Sequence, residues 1–369
     1  MNLKSQLSEA VETKELYSVF EQKDLEGGYT GILLNVTEEE LLLKKINRDG
    51  REDGYFLMRT EDVVCCCTGD SELERRRKLW RGKEEKGLLF SAKSDSLMDG
   101  LLSYAVKKIE PVGICCQEQA YTGWLREFSN EMVVLNEVTS YGENDGEVWL
   151  RRDCIDTVEA DSQELRIRKN MWSGEIPEMR RNPEEDFFEK LKAYEGKNGL
   201  FEFYLDDDLE MCYVGEVEHV TEKELMIKHI DARGNYDGHG IFPLNRVVCI
   251  YRKSRYLSKM EKLRKDGLKG NSLYMEGKDL SGELMRYVQR EQEFIMLEVE
   301  EQEYYGKIID WDENQIQLAV LDQYGKQDGR MWILREWVKA IWTDNAMLQG
   351  MILFKNQNSP QEKAENEKK

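Results

Sequence analysis

Apolar residues recur at every second position over short stretches of this chain, the period of half-buried strands rather than helices. Leu41 and Leu43 stand two positions apart, and the same spacing returns at Val133 and Leu135, at Leu225 and Ile227, and at Ile316 and Leu318. Each pair sits inside one recurring frame that opens with Tyr-x-Gly and ends with Gly-x-x-Asp-Gly. Its first glycines are Gly31, Gly123, Gly215 and Gly306, and its last are Gly54, Gly146, Gly238 and Gly329. Successive copies are 92, 92 and 91 residues apart for both anchors. Two anchors that keep step through four copies mark an internal repeat, which dictates the architecture.

Upstream of each Tyr-x-Gly lies another strand candidate ("LYSVFEQ", "EPVGICC", "LFEFYL", "EFIMLEVE"). Downstream of each Asp-Gly a last strand ends in a spaced apolar pair: Val63/Cys66, Ile155/Val158, Val247/Ile250 and Val338/Ile341. The Asp-Gly is expected to supply the positive-φ positions of a tight hairpin turn. Helical segments precede the strands, as "SQLSEAVETKE", "DSLMDGLLSYAVKKI", "NPEEDFFEKLKAYEG" and "KDLSGELMRYVQREQ", with N-caps expected at Ser5, Asp95 and Asn182. Leu97, Leu101 and Tyr104 lay an apolar stripe on one helix face. "RGKEEKG", "MWSGEIPEMRR" and "KDGLKGNS" read as linkers and "KNQNSPQEKAENEKK" as a disordered tail.

The copies fall into two classes. Val36-Thr37-Glu38 and Val63-Val64-Cys65 of the first return as Val220-Thr221-Glu222 and Val247-Val248-Cys249 in the third. Tyr141-Gly142, Trp149 and Arg152 of the second return as Tyr324-Gly325, Trp332 and Arg335 in the fourth. The order is A-B-A-B, so adjacent A and B copies are expected to dock as pairs. The expected units span 1–86, 87–178, 179–270 and 271–354, with a tail at 355–369.

A short helix, five bent strands, a glycine in the second strand and a spaced apolar pair in the last resemble the Sm-like family of small barrels. The resemblance covers Leu16 to Thr68, Ile109 to Glu159, Phe201 to Arg252 and Phe294 to Thr343. A generic SH3-like barrel fits the same pattern. The resemblance implies a mainly β chain of four tandem five-stranded barrels, and barrels that associate by pairing the fourth strand of one with the fifth of the next, in an arc or pseudo-ring. The RNA site it implies, Gly-x5-Asp-x3-Asn with a late Arg-Gly, is missing. The Asp position holds Thr37, Ser129, Thr221 and Asp312; the Asn position holds Leu41, Val133, Leu225 and Ile316. Only Asp312 matches.

Composition narrows the function classes. With 73 acidic and 53 basic residues the net charge is −20, which repels phosphate backbones at long range. No apolar run reaches the roughly 18 residues of a membrane span, and the first residues lack the apolar core of a signal peptide, so a cytoplasmic protein is expected. Cys65, Cys66, Cys67, Cys115, Cys116, Cys154, Cys212 and Cys249 form no C-x-x-C pair and read as buried or half-buried reduced thiols.

His219, His229 and His239 are ten residues apart. They read as ordinary histidines, since an extended strand would hold them far from each other. "NRDGREDG" and "DARGNYDG" lack the ligand order of a calcium loop. Tyr29, Tyr121, Tyr213 and Tyr304 would form a recognition row if the barrels aligned; the reading adopted is that each packs on its own hairpin. Trp149, Trp332, Trp337 and Trp342 are expected to fill A–B interfaces.

No nucleophile elbow, phosphate loop or dinucleotide fingerprint is present, and no cofactor or metal is expected. The expectation is a non-enzymatic binding or scaffold protein for a protein partner, a basic one given the charge. An inhibitor or immunity role against a toxin domain falls within it. An Sm-like RNA binder is the alternative, and an enzyme using the histidines of the third copy is a third reading.

Overall fold

Leu7 and Ala10 lie on one face of an eleven-residue helix, α1 (Leu3–Thr13), and both are buried against the strands that follow. Those strands are β1 (Leu16–Glu21), β2 (Asp24–Val36), β3 (Glu40–Ile46), β4 (Glu52–Arg59) and β5 (Val63–Thr68). Antiparallel ladders join them in the order β5-β1-β2-β3-β4, and no pairing joins β4 to β5 of the same repeat among the described residues. Val19, Leu33, Leu41, Leu43, Phe56, Met58 and Val63 form the core with Leu7 and Ala10. This computed structural model describes residues 3–22, 24–80, 96–181, 184–206, 208–264, 273, 275, 277–300 and 302–357.

The other repeats follow the same course. After α2 (Ser71–Leu79) come α3 (Leu97–Lys108), β6 (Val112–Cys116), β7 (Gln119–Phe128), β8 (Met132–Val138), β9 (Asn144–Arg151), β10 (Ile155–Ala160) and α4 (Gln163–Met171). A two-residue strand β11 (Arg180–Arg181) follows α4, and the third repeat has α5 (Phe187–Lys192), β12 (Phe201–Leu205), β13 (Asp208–Val220), β14 (Glu224–Ile230), β15 (Tyr236–Pro243), β16 (Val247–Arg252) and α6 (Arg255–Leu263). The fourth has α7 (Leu280–Glu291), β17 (Ile295–Val299), β18 (Gln302–Trp311), β19 (Gln315–Leu321), β20 (Gln327–Leu334), β21 (Val338–Thr343) and α8 (Ala346–Gln357). The chain is mainly β and divides into two compact units, Met1–Glu184 and Glu185–Lys369.

Within each unit the A and B repeats share a ladder. The fourth strand of A pairs with the fifth of B: β4 with β10, where Leu57 faces Val158, and β15 with β21, where Ile241 faces Ile341. The B helix adds a second contact. Leu280, Leu284, Met285 and Val288 of α7 share a core with Met226 and Ile241 of the A repeat. Met226 and its counterpart Leu42 are fully buried. The middle strand of A, expected to be half-buried, is therefore buried on both faces, because a neighbouring repeat covers the side its own core leaves open.

Several expectations need correction. The tight turn is made by Gly50, Gly142, Gly234 and Gly325, each at positive φ and each donating to a carbonyl three residues earlier (Asn47, Thr139, Asp231 and Asp322). Asp53-Gly54 and its counterparts lie one step later, inside the fourth strand. There the ladder slips by a residue between Lys44 and Ile46, and Gly54 takes φ +78° at the resulting bulge. The N-caps are Ser96 and Asp186, not Asp95 and Asn182, and α1 already begins at Leu3, so Ser5 is not its cap.

Residues 355–357, placed in the tail, belong to α8, while 358–369 lie outside the described residues, as do the linkers at 81–87 and 265–272. The second linker, at 171–181, pairs in part, with Arg180 and Arg181 alongside Glu127 and Phe128 of β7. No helix among the described residues is long and apolar enough to cross a membrane.

The helix after each fifth strand was not anticipated. Its signal is a capping residue followed three positions later by leucine: Asp70/Leu73, Ser162/Leu165, Ser254/Leu257 and Asn345/Leu348. In every copy the cap side chain accepts the leucine N–H and the leucine is buried. The caps keep the same 92, 92 and 91 spacing as the repeat.

Candidate functional site

Asp312 matches the RNA-site pattern, yet its carboxylate faces its own turn. Oδ1 accepts the N–H groups of Asn314 (2.7 Å) and Gln315 (2.9 Å), and these bonds hold its pKa below the usual carboxylate range. Thr37, Ser129 and Thr221 do the same with their hydroxyls, Thr37 accepting from Glu39 and Glu40. Ser129 accepts from Glu131 and Met132, and Thr221 from Lys223 and Glu224. The position is a turn cap in all four repeats. A side chain engaged this way is a poor reader of a base edge.

The glycines of Tyr-x-Gly mark a close crossing of the second strand over the third. A Cβ at Gly31, Gly123, Gly215 or Gly306 would run into the backbone carbonyl of Lys44, Asn136, Lys228 or Ala319. The Asp-Gly of the A repeats instead meets the B repeat. A Cβ at Gly54 would collide with the Ala160 carbonyl, and one at Gly238 with the Thr343 carbonyl and, at 2.7 Å, the Asn345 nitrogen. Asp53 accepts the Gln163 N–H and Asp237 the Ala346 N–H, each at 2.7 Å, so the acid of one repeat caps a helix of the next. Gly146 and Gly329 also have positive φ, and nothing lies within 4 Å of a Cβ at Gly329.

Other A-repeat acids are engaged in the same way. Glu40 accepts from Leu97 and Met98 at the start of α3, and Glu224 from Leu280 and Ser281 at the start of α7. Lys45 pairs with Glu159 across the shared ladder at 2.5 Å.

The tyrosines serve packing. Tyr29 stacks on Phe56 with centroids 3.8 Å apart and donates to Glu21, and Tyr121 is buried. Tyr304 packs on the core of the fourth repeat. Tyr213 reaches across the A–B contact to Glu298 and lies 5.1 Å from the ring of Trp342. Trp149 and Trp342 are buried, but Trp332 and Trp337 are 61% and 51% exposed, against the expectation that all four fill interfaces. Leu334 (50%) and Tyr324 (55%) add to this exposed apolar set.

The histidines go separate ways. His219 Nε2 lies 3.1 Å from the Leu273 carbonyl, His229 Nδ1 is 3.5 Å from Asp237, and the buried His239 Nδ1 is 2.6 Å from Glu218. Each has its own carboxylate or carbonyl, and no group of three or more metal-ligating side chains converges among the described residues. A cleft of about 1250 Å³ between the third and fourth repeats includes His219, Thr221, Glu224, Asp279 and Arg335. Two of its acids, Glu224 and Asp279, are engaged at the start of α7, and Asp279 also pairs with Arg335 at 3.2 Å.

All eight cysteines are free thiols. Desolvation pushes Cys154 up to about 12 and Cys212 to about 11, so both are weak nucleophiles near neutral pH. Cys65 is exposed, a departure from the expected burial. No protein-family model matches this chain, and no curated protein matches it.

Proposed function

We propose that this chain is a non-enzymatic binding or scaffold protein of the cytoplasm. In this reading its four repeats are small Sm-like or SH3-like barrels, and their arrangement presents surface to a protein partner. The observation that carries it is the exposure of Trp332 and Trp337, with Leu334 between them, in a fourth repeat that otherwise has a well-filled core. Large exposed aromatics grouped on a surface are the usual anchors of protein interfaces.

The net charge of −20 favours a basic partner by steering its approach. The alternative of RNA binding is weakened by Asp312, whose carboxylate is engaged by its own turn. An enzyme is weakened by histidines and acids that each have a separate structural partner.

Capture from a native-host lysate, with and without nuclease, tests the reading with wild-type chain and Trp337→Glu. Protein capture that survives nuclease and falls in the variant supports it. Capture that disappears with nuclease overturns it.

A further inference from the structure

The A–B ladder leaves two strands with one neighbour each. β20, the fourth strand of the last repeat, pairs only with β19, and β5, the fifth strand of the first, pairs only with β1, among the described residues. Their equivalents within the two units are joined: β4 to β10 and β15 to β21.

Exposure follows the missing neighbour. Trp332 occupies the place of Leu57 and Ile241, which are each 1% exposed because β10 and β21 lie beside them, whereas Trp332 is 61% exposed. On β5, Val64 is 50% exposed and Cys65 is exposed, while Thr157 and Ala340, which stand where Cys65 does, are buried. Val63–Thr68 has no charge or proline, and the charges of β20, Asp328 and Arg330, flank its bulge at the start of the strand and leave Met331-Trp332-Ile333-Leu334 as an uncharged run. The glycine at the β20 bulge, Gly329, has open space where Gly54 and Gly238 meet the neighbouring repeat.

We propose that β20 of one copy pairs antiparallel with β5 of a second copy, by the ladder that joins A to B inside each unit. This rests on the protein-binding reading above and names the partner of its strand edge. Each copy carries one edge of each kind, so the contact is head-to-tail, joining two different surfaces. Carrying the β4–β10 register across places Thr68 opposite Arg330, Cys67 opposite Met331, Cys66 opposite Trp332 and Cys65 opposite Ile333. Trp332 then packs where Leu57 and Ile241 pack in their own ladders.

Sedimentation of the purified full-length chain over a wide concentration range tests this. Wild type is expected to self-associate, and Trp332→Glu to weaken association about thirtyfold or more, the scale of losing a buried tryptophan anchor. In Trp332→Cys, mild oxidation is expected to yield an intermolecular disulfide between Cys66 of one copy and the thiol introduced at position 332 of another, mapped by peptide mass spectrometry.

A chain that stays monomeric at every concentration overturns the proposal. So does a disulfide from Cys66 to the introduced thiol formed within one molecule, or cross-linking without preference for Cys66. Failure here together with Trp337-dependent protein capture would sink self-pairing while leaving the binding reading in place.

Discussion

Gly238 and Gly329 stand at the same place in two repeats, both at positive φ, and a methyl group added to each reports on different surroundings. At Gly329 (φ +110°) nothing lies within 4 Å of the new Cβ, so Gly329→Ala bears only the backbone strain of an L-residue in that region, about 1–2 kcal/mol. At Gly238 (φ +83°) the same strain applies, and the methyl lies 2.7 Å from the Asn345 nitrogen and closer still to the Thr343 carbonyl. Both atoms are backbone, held by the β15–β21 ladder and the cap of α8. Relief requires shifting one repeat against the other, an overpacking cost of about 1–3 kcal/mol more.

Gly238→Ala is therefore expected to lose about 2–5 kcal/mol. That is a large share of the roughly 5–15 kcal/mol that stabilises a typical domain. Denaturant unfolding of dilute full-length protein gives the two losses. Hydrogen exchange by mass spectrometry should show faster exchange over residues 338–346 in Gly238→Ala and unchanged exchange there in Gly329→Ala. Equal losses for the two variants, with no change over 338–346, would refute the claim that Gly238 marks a contact between repeats.

Asp312→Ala should lower stability slightly, by removing a turn cap, in denaturant unfolding. It should leave RNA affinity unchanged, with uridine-rich oligonucleotides binding no tighter than about 10 µM at roughly 0.15 M salt in fluorescence anisotropy. Asp237 accepts from His229 and from Ala346 N–H, and these bonds hold its pKa below the ordinary 3.8. Its stabilising contribution is thus complete above the ordinary value and is lost as pH falls through the lower folded one. Acid titration of unfolding in wild type and Asp237→Asn should differ in slope only in that acidic window; identical profiles would contradict it. A fragment of residues 1–184 should melt cooperatively and at higher temperature than 1–86, which exposes Leu57 and the far face of β3, and equal melting points would argue against repeat pairing.

The repeat was legible in the sequence because its markers are local. The two-residue spacing of Leu41 and Leu43, a glycine wherever the second strand crosses the third, and a positive-φ glycine at each bulge are demands that one repeat makes of its own residues. The N-cap-x-x-Leu signature of α2, α4, α6 and α8 was equally local and stood at the same spacing, but a nine-residue helix rich in charge, such as Ser71–Leu79, shows only one strongly buried position, Leu73.

The tertiary structure decided what depends on a neighbour. Leu42 looks like any strand residue, and only the adjoining repeat makes it core. Asp53 and Asp237 look like turn residues until a helix start from the next repeat arrives within 2.7 Å. Trp332 and Ile241 occupy one place in the repeat, yet one is exposed and the other buried, because β21 lies beside β15 and nothing lies beside β20 among the described residues. Hydrophobic pattern specifies which residues can be buried; strand pairing between distant segments decides which of them are.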